Sequence, residues 1–371
     1  NQVNYFNMSS SLVAENTGLY YGGVSFLATA NENPAQITYC TITNNSYSDL
    51  GSEGNASELM VERVAFINVL NSIIVSEQSP AVTVGNHNFN DSAELTIGYS
   101  LISDGQDSID VYEDGTLIWG DGNIDVDPIF VDTANGNYHL LASSQCINAG
   151  HPDSTDSDGT VADIGAYPYL NSYSGPTWYI TEDGNDSTAT GASDDPFRSI
   201  QAGINFSSHA DSVAVAAGTY VENINLSASS NFAVIGEDRE TTIIDGNNLG
   251  PVVYITDVAQ NLVLKNFTLT NGSEEEGGGI KIQNHSHCTI ENVNIISNSS
   301  YGVGIWHWAD VHMKNVLIAD NSGPGIITYF GVELDLNNIT ITGNTSGLRI
   351  ANNDQKLKIV NSIIYGNQNG S

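Results

Sequence analysis

Two stretches of the sequence carry residue types that do chemistry when they are brought together. The first is acidic: His151-Pro152-Asp153-Ser154-Thr155-Asp156-Ser157-Asp158-Gly159, with Asp163 beyond it, sets carboxylates around a glycine turn. Hard oxygen donors closely spaced along a loop suit Ca2+, so Asp153, Asp156, Asp158 and Asp163 form a candidate Ca2+ site. A solvated turn is the competing reading, because the flanking helices and final Glu of an EF-hand are missing. Glu182, Asp183, Asp186, Asp194 and Asp195 form a looser acidic group, in which Asp195 also suits a helix cap. The second stretch is aromatic. Aligning successive segments by Gly279, Gly304, Gly325 and Gly347 turns Ile280, Ile305, Ile326 and Leu348 inward and Lys281, Trp306, Ile327 and Arg349 outward. Two residues further on, Gln283, Trp308, Tyr329 and Ala351 also face out. One exposed face then carries Trp306, Trp308 and Tyr329 between Lys281 and Arg349. Such aromatics stack on sugar rings or pack on a partner protein, unless a neighbouring loop covers them. His285, His287, His307 and His312 lie nearby, with His307 in the inward register.

The elements that must position these residues repeat. Asn266, Asn292, Asn315, Asn338 and Asn361 each sit inside a short apolar–polar alternation, at spacings of 26, 23, 23 and 23. A second asparagine follows six residues later in four rows, at Asn298, Asn321, Asn344 and Asn367. Alternation with period two is a strand with one buried face. A repeat near 23 residues is too short for a helical pair and fits one coil of three short strands. Stacked coils pair each strand with its copy above, in parallel, and bury a continuous core. The expected fold is therefore all-β, a right-handed parallel β-helix. Asn266 and Asn338 also lie in Asn-X-Thr sequons, where burial in the ladder would block modification.

The same rows appear near the start of the chain. Leu70-Asn71-Ser72-Ile73-Ile74 matches Val360-Asn361-Ser362-Ile363-Ile364 at an offset of 290. Two consecutive units follow: 1–170, the end of one β-helix with its closing segment; a linker at 171–176; and 177–371, the start of a second. The second unit contains one convincing helix, near 195–206. Asp195 is placed to cap it, Pro196 to open it, and Phe197, Ile200 and Ile204 to form its apolar face. A lone amphipathic helix at the start of a solenoid plugs the open core and blocks edge pairing.

Composition narrows the function. The 371 residues include 9 basic and 43 acidic side chains, a formal charge of −34. Arg63 is the only basic residue before Arg198, so chemistry that needs a protein cation belongs to the second half. Nucleic acid is excluded as a partner, since phosphates need clustered Lys and Arg. No run of about 18 apolar residues offers a membrane span, so no direct membrane insertion is expected. Cys40, Cys146 and Cys288 are too far apart for a metal site and too few for a disulfide framework; they read as buried small hydrophobes. The chain opens at Asn1 without a signal-peptide pattern, which reads as a mature or trimmed piece of something larger.

Tyr179-Ile180-Thr181-Glu182-Asp183-Gly184-Asn185-Asp186, Pro196-Phe197-Arg198-Ser199-Ile200-Gln201, Ala217-Gly218-Thr219-Tyr220-Val221-Glu222-Asn223-Ile224 and Ile243-Ile244-Asp245-Gly246 resemble the N-terminal segment of secreted bacterial pectin-lyase-like β-helix proteins. The stretch 123–167 resembles their closing segment. The resemblance implies an extracellular or cell-surface setting. It also implies that a lyase would need a Lys or Arg base, for which Lys281 and Arg349 are the first candidates, and a cation to neutralise the substrate carboxylate. No tight catalytic constellation is visible, and this superfold hosts enzymes, adhesins and structural proteins alike. Two readings follow. One is a structural or adhesive surface rod that self-associates head to tail or laterally. The other is a polysaccharide-binding module or polysaccharide lyase that uses the aromatic sheet.

Overall fold

The computed structural model describes residues 6–28, 34–48, 56–85, 92–226, 231–256, 261–352 and 354–369. Two compact units divide the chain, Asn1–Ser172 and Tyr173–Ser371. Each is an all-β parallel solenoid; the described residues hold about 12 coils and a single short α-helix.

In the second unit a full coil lays down three short strands, while the first coil gives one strand and the helix and the last described coil gives two, so stacking yields parallel sheets of eight, seven and six strands. The eight-stranded sheet runs from Thr177–Ile180 to Lys356–Val360, the seven-stranded from Gly218–Val221 to Ile363–Ile364, and the six-stranded from Ile224–Asn225 to Ser346–Ile350. Inward positions stack like on like. Val213, Val234, Leu264, Ile290, Met313 and Leu336 pair one above another and are fully buried. Non-directional burial of apolar surface holds this column, and the in-register ladder fixes which residue meets which.

The asparagines do two different jobs. Asn266, Asn292, Asn315, Asn338 and Asn361 sit at the bend between the eight- and seven-stranded sheets with φ between 51° and 64°. This is the left-handed region that a short polar side chain tolerates. Contrary to expectation, Asn338 is exposed. The buried ladder is the second one: Asn298, Asn321 and Asn344 are at most 2% exposed. Asn298 Nδ2 donates to Asn321 Oδ1 at 2.8 Å, and Asn321 Nδ2 to Asn344 Oδ1 at 2.9 Å. The backbone N–H groups of Asn298 and Asn321 reach the same two oxygens. Each amide thus satisfies the chain at a buried bend that has no ladder partner of its own.

The helix, α1, spans Ile200–Phe206, shorter than the expected 195–206. Phe197 is held in a parallel bridge with Ile180, which keeps 195–198 out of helical geometry. Asp195 does not cap it; its Oδ2 accepts from the N–H and hydroxyl of Thr190. The cap arrives from the next coil. Glu222 accepts the N–H groups of Ile200 and Gln201 at 2.8 and 3.1 Å, as the open N-terminus of a helix requires. Burial pushes the Glu222 carboxyl up to about 7, against the pull of those two bonds. α1 plugs the first coil: a Cβ on Gly203 would stand 2.8 Å from Val213 and 2.9 Å from Ile180 side-chain atoms. The Gln201 side chain exchanges hydrogen bonds with the Asn225 backbone, so it blunts the edge of the six-stranded sheet.

The first unit stacks parallel sheets of five, four and four strands around Ile37, Ile42, Leu59, Ile67, Leu95 and Ile97. The matched pentapeptides adopt the same bend in both units. Asn71 and Asn361 have φ of 50° and 51°, and the following Ser72 and Ser362 hydroxyls each donate back to residue 70 or 360. Here the asparagine ladder is short, with Asn45 its buried member and Asn16 exposed. Asn16 donates to Asn45, and Asn45 donates to Glu58 through N–H and Nδ2. Burial lifts the Glu58 carboxyl to about 7 despite those bonds. The closing segment returns along the coils: His151 and Gly165 donate their N–H groups to Asn71, and Ala166 donates to Thr41 Oγ1. Gly165, at φ 117°, passes so close that a Cβ would lie 2.7 Å from Ile73 Cδ1. Cys40, Cys146 and Cys288 are buried and unbridged. Among the described residues, no helix is long and apolar enough to cross a membrane.

Candidate functional site

The acidic loop is fastened to its own backbone. Asp163 is 2% exposed and accepts the N–H groups of Asn148 and Tyr169 at 2.8 and 2.6 Å. Asp156 Oδ2 accepts Asp163 N–H, and Asp158 accepts Thr160 through Oδ1 and Asn171 N–H through Oδ2. Asp153 stays exposed. Burial raises Asp163 to about 7 and raises Asp156 as well. Burial also opposes the charge on Asp158, but its bonds to Asn171 and Thr160 outweigh that and hold it low. The four carboxylates do not converge on one point; three of them anchor the closing segment. The second acidic group behaves likewise: Glu182 accepts Thr219 N–H, and Asp186 accepts the N–H groups of Arg198 and Ser199.

The aromatic residues are rearranged by a two-residue shift. Ile280 pairs with Val303, Val303 with Ile326, and Ile326 with Leu348. Gly302, not Gly304, therefore shares the column of Gly279, Gly325 and Gly347. A slip of two keeps a residue on its face and moves it one row along. Lys281, Gly304, Ile327 and Arg349 form one row; Trp306 and Tyr329 fall in the next, stacked at 5.3 Å and 14°. Trp306 is 6% exposed, because its ring lies over Gly304, where a Cβ would come within 2.1 Å of Cζ3. Trp306 is thus covered rather than displayed, and Ile305 and Ile327 are both buried.

What is displayed lies one step further, at the bend into the eight-stranded sheet. Trp308 is 56% and Phe330 44% exposed. Trp308 stacks on His285 at 5.3 Å, and His307 on Phe330 at 5.8 Å. His307 is half-buried and faces this edge, not the interior. His285, His307, Trp308 and Phe330 have φ of 58°, 53°, 58° and 49°. Bulky side chains rarely accept that conformation, and their recurrence over three successive coils marks a built feature. Stepping by 23 residues from Trp308 reaches His285 and Gly331, so the repeat itself carried the signal.

Next to this edge, the strands His287–Glu291 and Asp310–Lys314 place His287 opposite Asp310, with His312 two residues on along the same face. His287 Nε2 lies 3.8 Å from Asp310 Oδ2, and His312 Nε2 lies 3.5 Å from Asp310 Oδ1. Among the described residues this is the group whose ligand atoms converge, within 4.8 Å of one another.

Lys281 is tied down. Its Nζ lies 3.1 Å from both Glu274 and Glu276 and 5.7 Å from the centre of the Tyr254 ring. Burial disfavours its charge, but the bonds to Glu276 and Glu274 outweigh that and raise it above the ordinary lysine range. Arg349 is exposed, on the far side of Ile327. A groove of about 360 Å³ lined by Tyr179, Pro196, Ala214, Ile235 and Glu237 offers one carboxylate, and that carboxylate already accepts Ala217 N–H.

Residues 251–371, about a third of the chain, match a family model described as right-handed beta helix region. That match contains the whole aromatic edge and the His–Asp–His group. The comparison with curated proteins found no match, and neither did the comparison with solved structures.

Proposed function

We propose that this chain is a segment of an extracellular structural and adhesive β-solenoid that binds polysaccharide along the edge of Trp308, His285, His307 and Phe330 without cleaving it. The observation that carries this reading is the pair of exposed rings, Trp308 and Phe330, fixed on adjacent coils of a rigid scaffold. Parallel strands repeat at about 4.8 Å, so rings on successive coils offer a continuous apolar strip with polar imidazoles beside it. Sugars present both an apolar ring face and hydroxyls to such a strip. Binding is favoured over lyase chemistry by the state of Lys281. A base that abstracts a proton must be neutral and unengaged, whereas Lys281 is held charged by two carboxylates. End-to-end or lateral association of such rods belongs to the same reading, because solenoid edges template pairing.

Affinity electrophoresis through gels containing neutral and acidic polysaccharides tests the reading. Retardation of the wild-type chain by at least one polysaccharide is expected, with loss of that retardation in Trp308→Ala and unchanged circular dichroism. Equal mobility of wild type and variant in every gel would overturn it. Formation of an unsaturated, ultraviolet-absorbing uronate would favour the lyase instead, and that activity should then vanish in Lys281→Ala.

A further inference from the structure

We infer that His287, Asp310 and His312 form a binding site for a divalent transition metal ion, with Zn2+ as its simplest occupant. The site is built by register, not by a flexible loop. Pairing of the two strands fixes His287 against Asp310, and the two-residue period of a strand returns His312 to the same face. All three side chains are part-exposed, at 35%, 41% and 45%, so an ion has access from solvent.

The separations fit a small ion. Zinc binds imidazole nitrogen and carboxylate oxygen at about 2.0–2.2 Å, which places neighbouring donors of a tetrahedral site roughly 3.4 Å apart. The imidazoles stand 3.5 and 3.8 Å from the two different oxygens of Asp310, and one ligand atom from each of the three residues lies within 4.8 Å of the others, so small rotamer adjustments reach that spacing. Two imidazoles with one carboxylate select borderline metals such as zinc, copper or nickel over calcium and magnesium, which prefer all-oxygen sets. Three protein donors leave a position for water or an external ligand.

A second observation concerns the carboxylate oxygens. Asp310 Oδ1 is inaccessible to solvent and has no hydrogen-bond partner. On the next strand Asp335, paired with His312, has its Oδ1 in the same condition, while its Oδ2 binds Lys358 at 2.7 Å. Buried acceptors without donors are rare and costly. The Asp310 oxygen, beside two imidazoles, is accounted for by a cation between the His287 and His312 rings.

Isothermal titration with ZnCl2 in chelator-free buffer tests the inference on the whole chain. One Zn2+ per chain is expected, weakened at least ~10-fold in His287→Ala, His312→Ala and Asp310→Asn. His139→Ala and His151→Ala should leave binding unchanged, which separates the site from general surface histidines. Co2+ in place of Zn2+ should give the strong visible absorption of a four- or five-coordinate centre. Absence of Zn2+ binding would overturn the proposal. So would binding unchanged in His312→Ala, or lost equally in the controls, or a Co2+ spectrum no stronger than that of the hexaaqua ion. The three variants alter part-exposed side chains; circular dichroism and Asp310→Asn, which keeps the side-chain shape, separate loss of ligand from loss of fold.

Discussion

Gly304 is the seat of the Trp306 ring, and it explains why a residue that reads as exposed is covered. The sequence offers two glycines, Gly302 and Gly304, either of which continues the column of Gly279 and Gly325. Only the backbone pairing chooses between them. Choosing Gly304 displays Trp306; the observed pairing lays it on Gly304 and stacks it on Tyr329. Gly304→Ala should force the indole off the sheet, because the added carbon would stand 2.1 Å from its ring and 1.9 Å from the Glu276 carbonyl. A cost of about 1–3 kcal/mol is expected from such overpacking. Chemical denaturation should show the loss, together with a red-shifted tryptophan emission; unchanged stability and emission would contradict the placement. The same scale accounts for the helix start. Asp195-Pro196 is a sound local capping signal, yet a bridge to Ile180 and the distant Glu222 carboxylate override it. No local pattern announces either.

At the scale of the element, the repeat was legible and its division of labour was not. Period-two alternation and a 23-residue step locate the strands and bends of the second unit. Composition does not tell which asparagine column is buried, because both are equally polar. The hydrogen bonds decide. Removing the Asn321 side chain leaves the N–H of Asn298 without its acceptor in a buried bend, takes the nearest acceptor from Asn298 Nδ2, and leaves Asn344 Oδ1 only the backbone N–H of residue 321. Asn321→Ala should therefore cost about 2–4 kcal/mol. Asn338→Ala loses a bond to Asn315 at the surface and places alanine at φ 62°, for about 1–2 kcal/mol. Urea unfolding of the two variants should rank them in that order; the reverse ranking would mean that the bend asparagines bear the load. The His287–Asp310–His312 group was hidden for a related reason. Its members are 23 and 25 residues apart and meet only when the coil is counted as one step.

At the scale of the whole molecule, a chain with a formal charge of −34 also buries carboxyl groups. Glu58, Asp163 and Glu222 are each lifted by burial to about 7. A carboxyl whose pKa is raised on folding contributes its full stability below its unfolded pKa. That contribution is lost as pH climbs through the folded value. For Glu58, raised from 4.5 to about 7, the difference is on the order of 3 kcal/mol. Thermal melts should show the highest midpoint near pH 5 and a decline toward pH 8, and Glu58→Gln should flatten the decline for the first unit. A midpoint that rises across this range would show that these groups are ionised in the fold.

The central claim is that the Trp308 edge meets polysaccharide, and fluorescence quenching reaches it most directly. Of the chain's tryptophans, Trp178 and Trp306 are buried and Trp119 is half-buried, whereas Trp308 is 56% exposed. Iodide should thus quench chiefly Trp308. A polysaccharide that retards the chain in affinity gels should protect this emission saturably, and the protection should disappear in Trp308→Phe. Quenching that stays the same at saturating polysaccharide, while the gels still show binding, would contradict the account and place the ligand elsewhere on the solenoid.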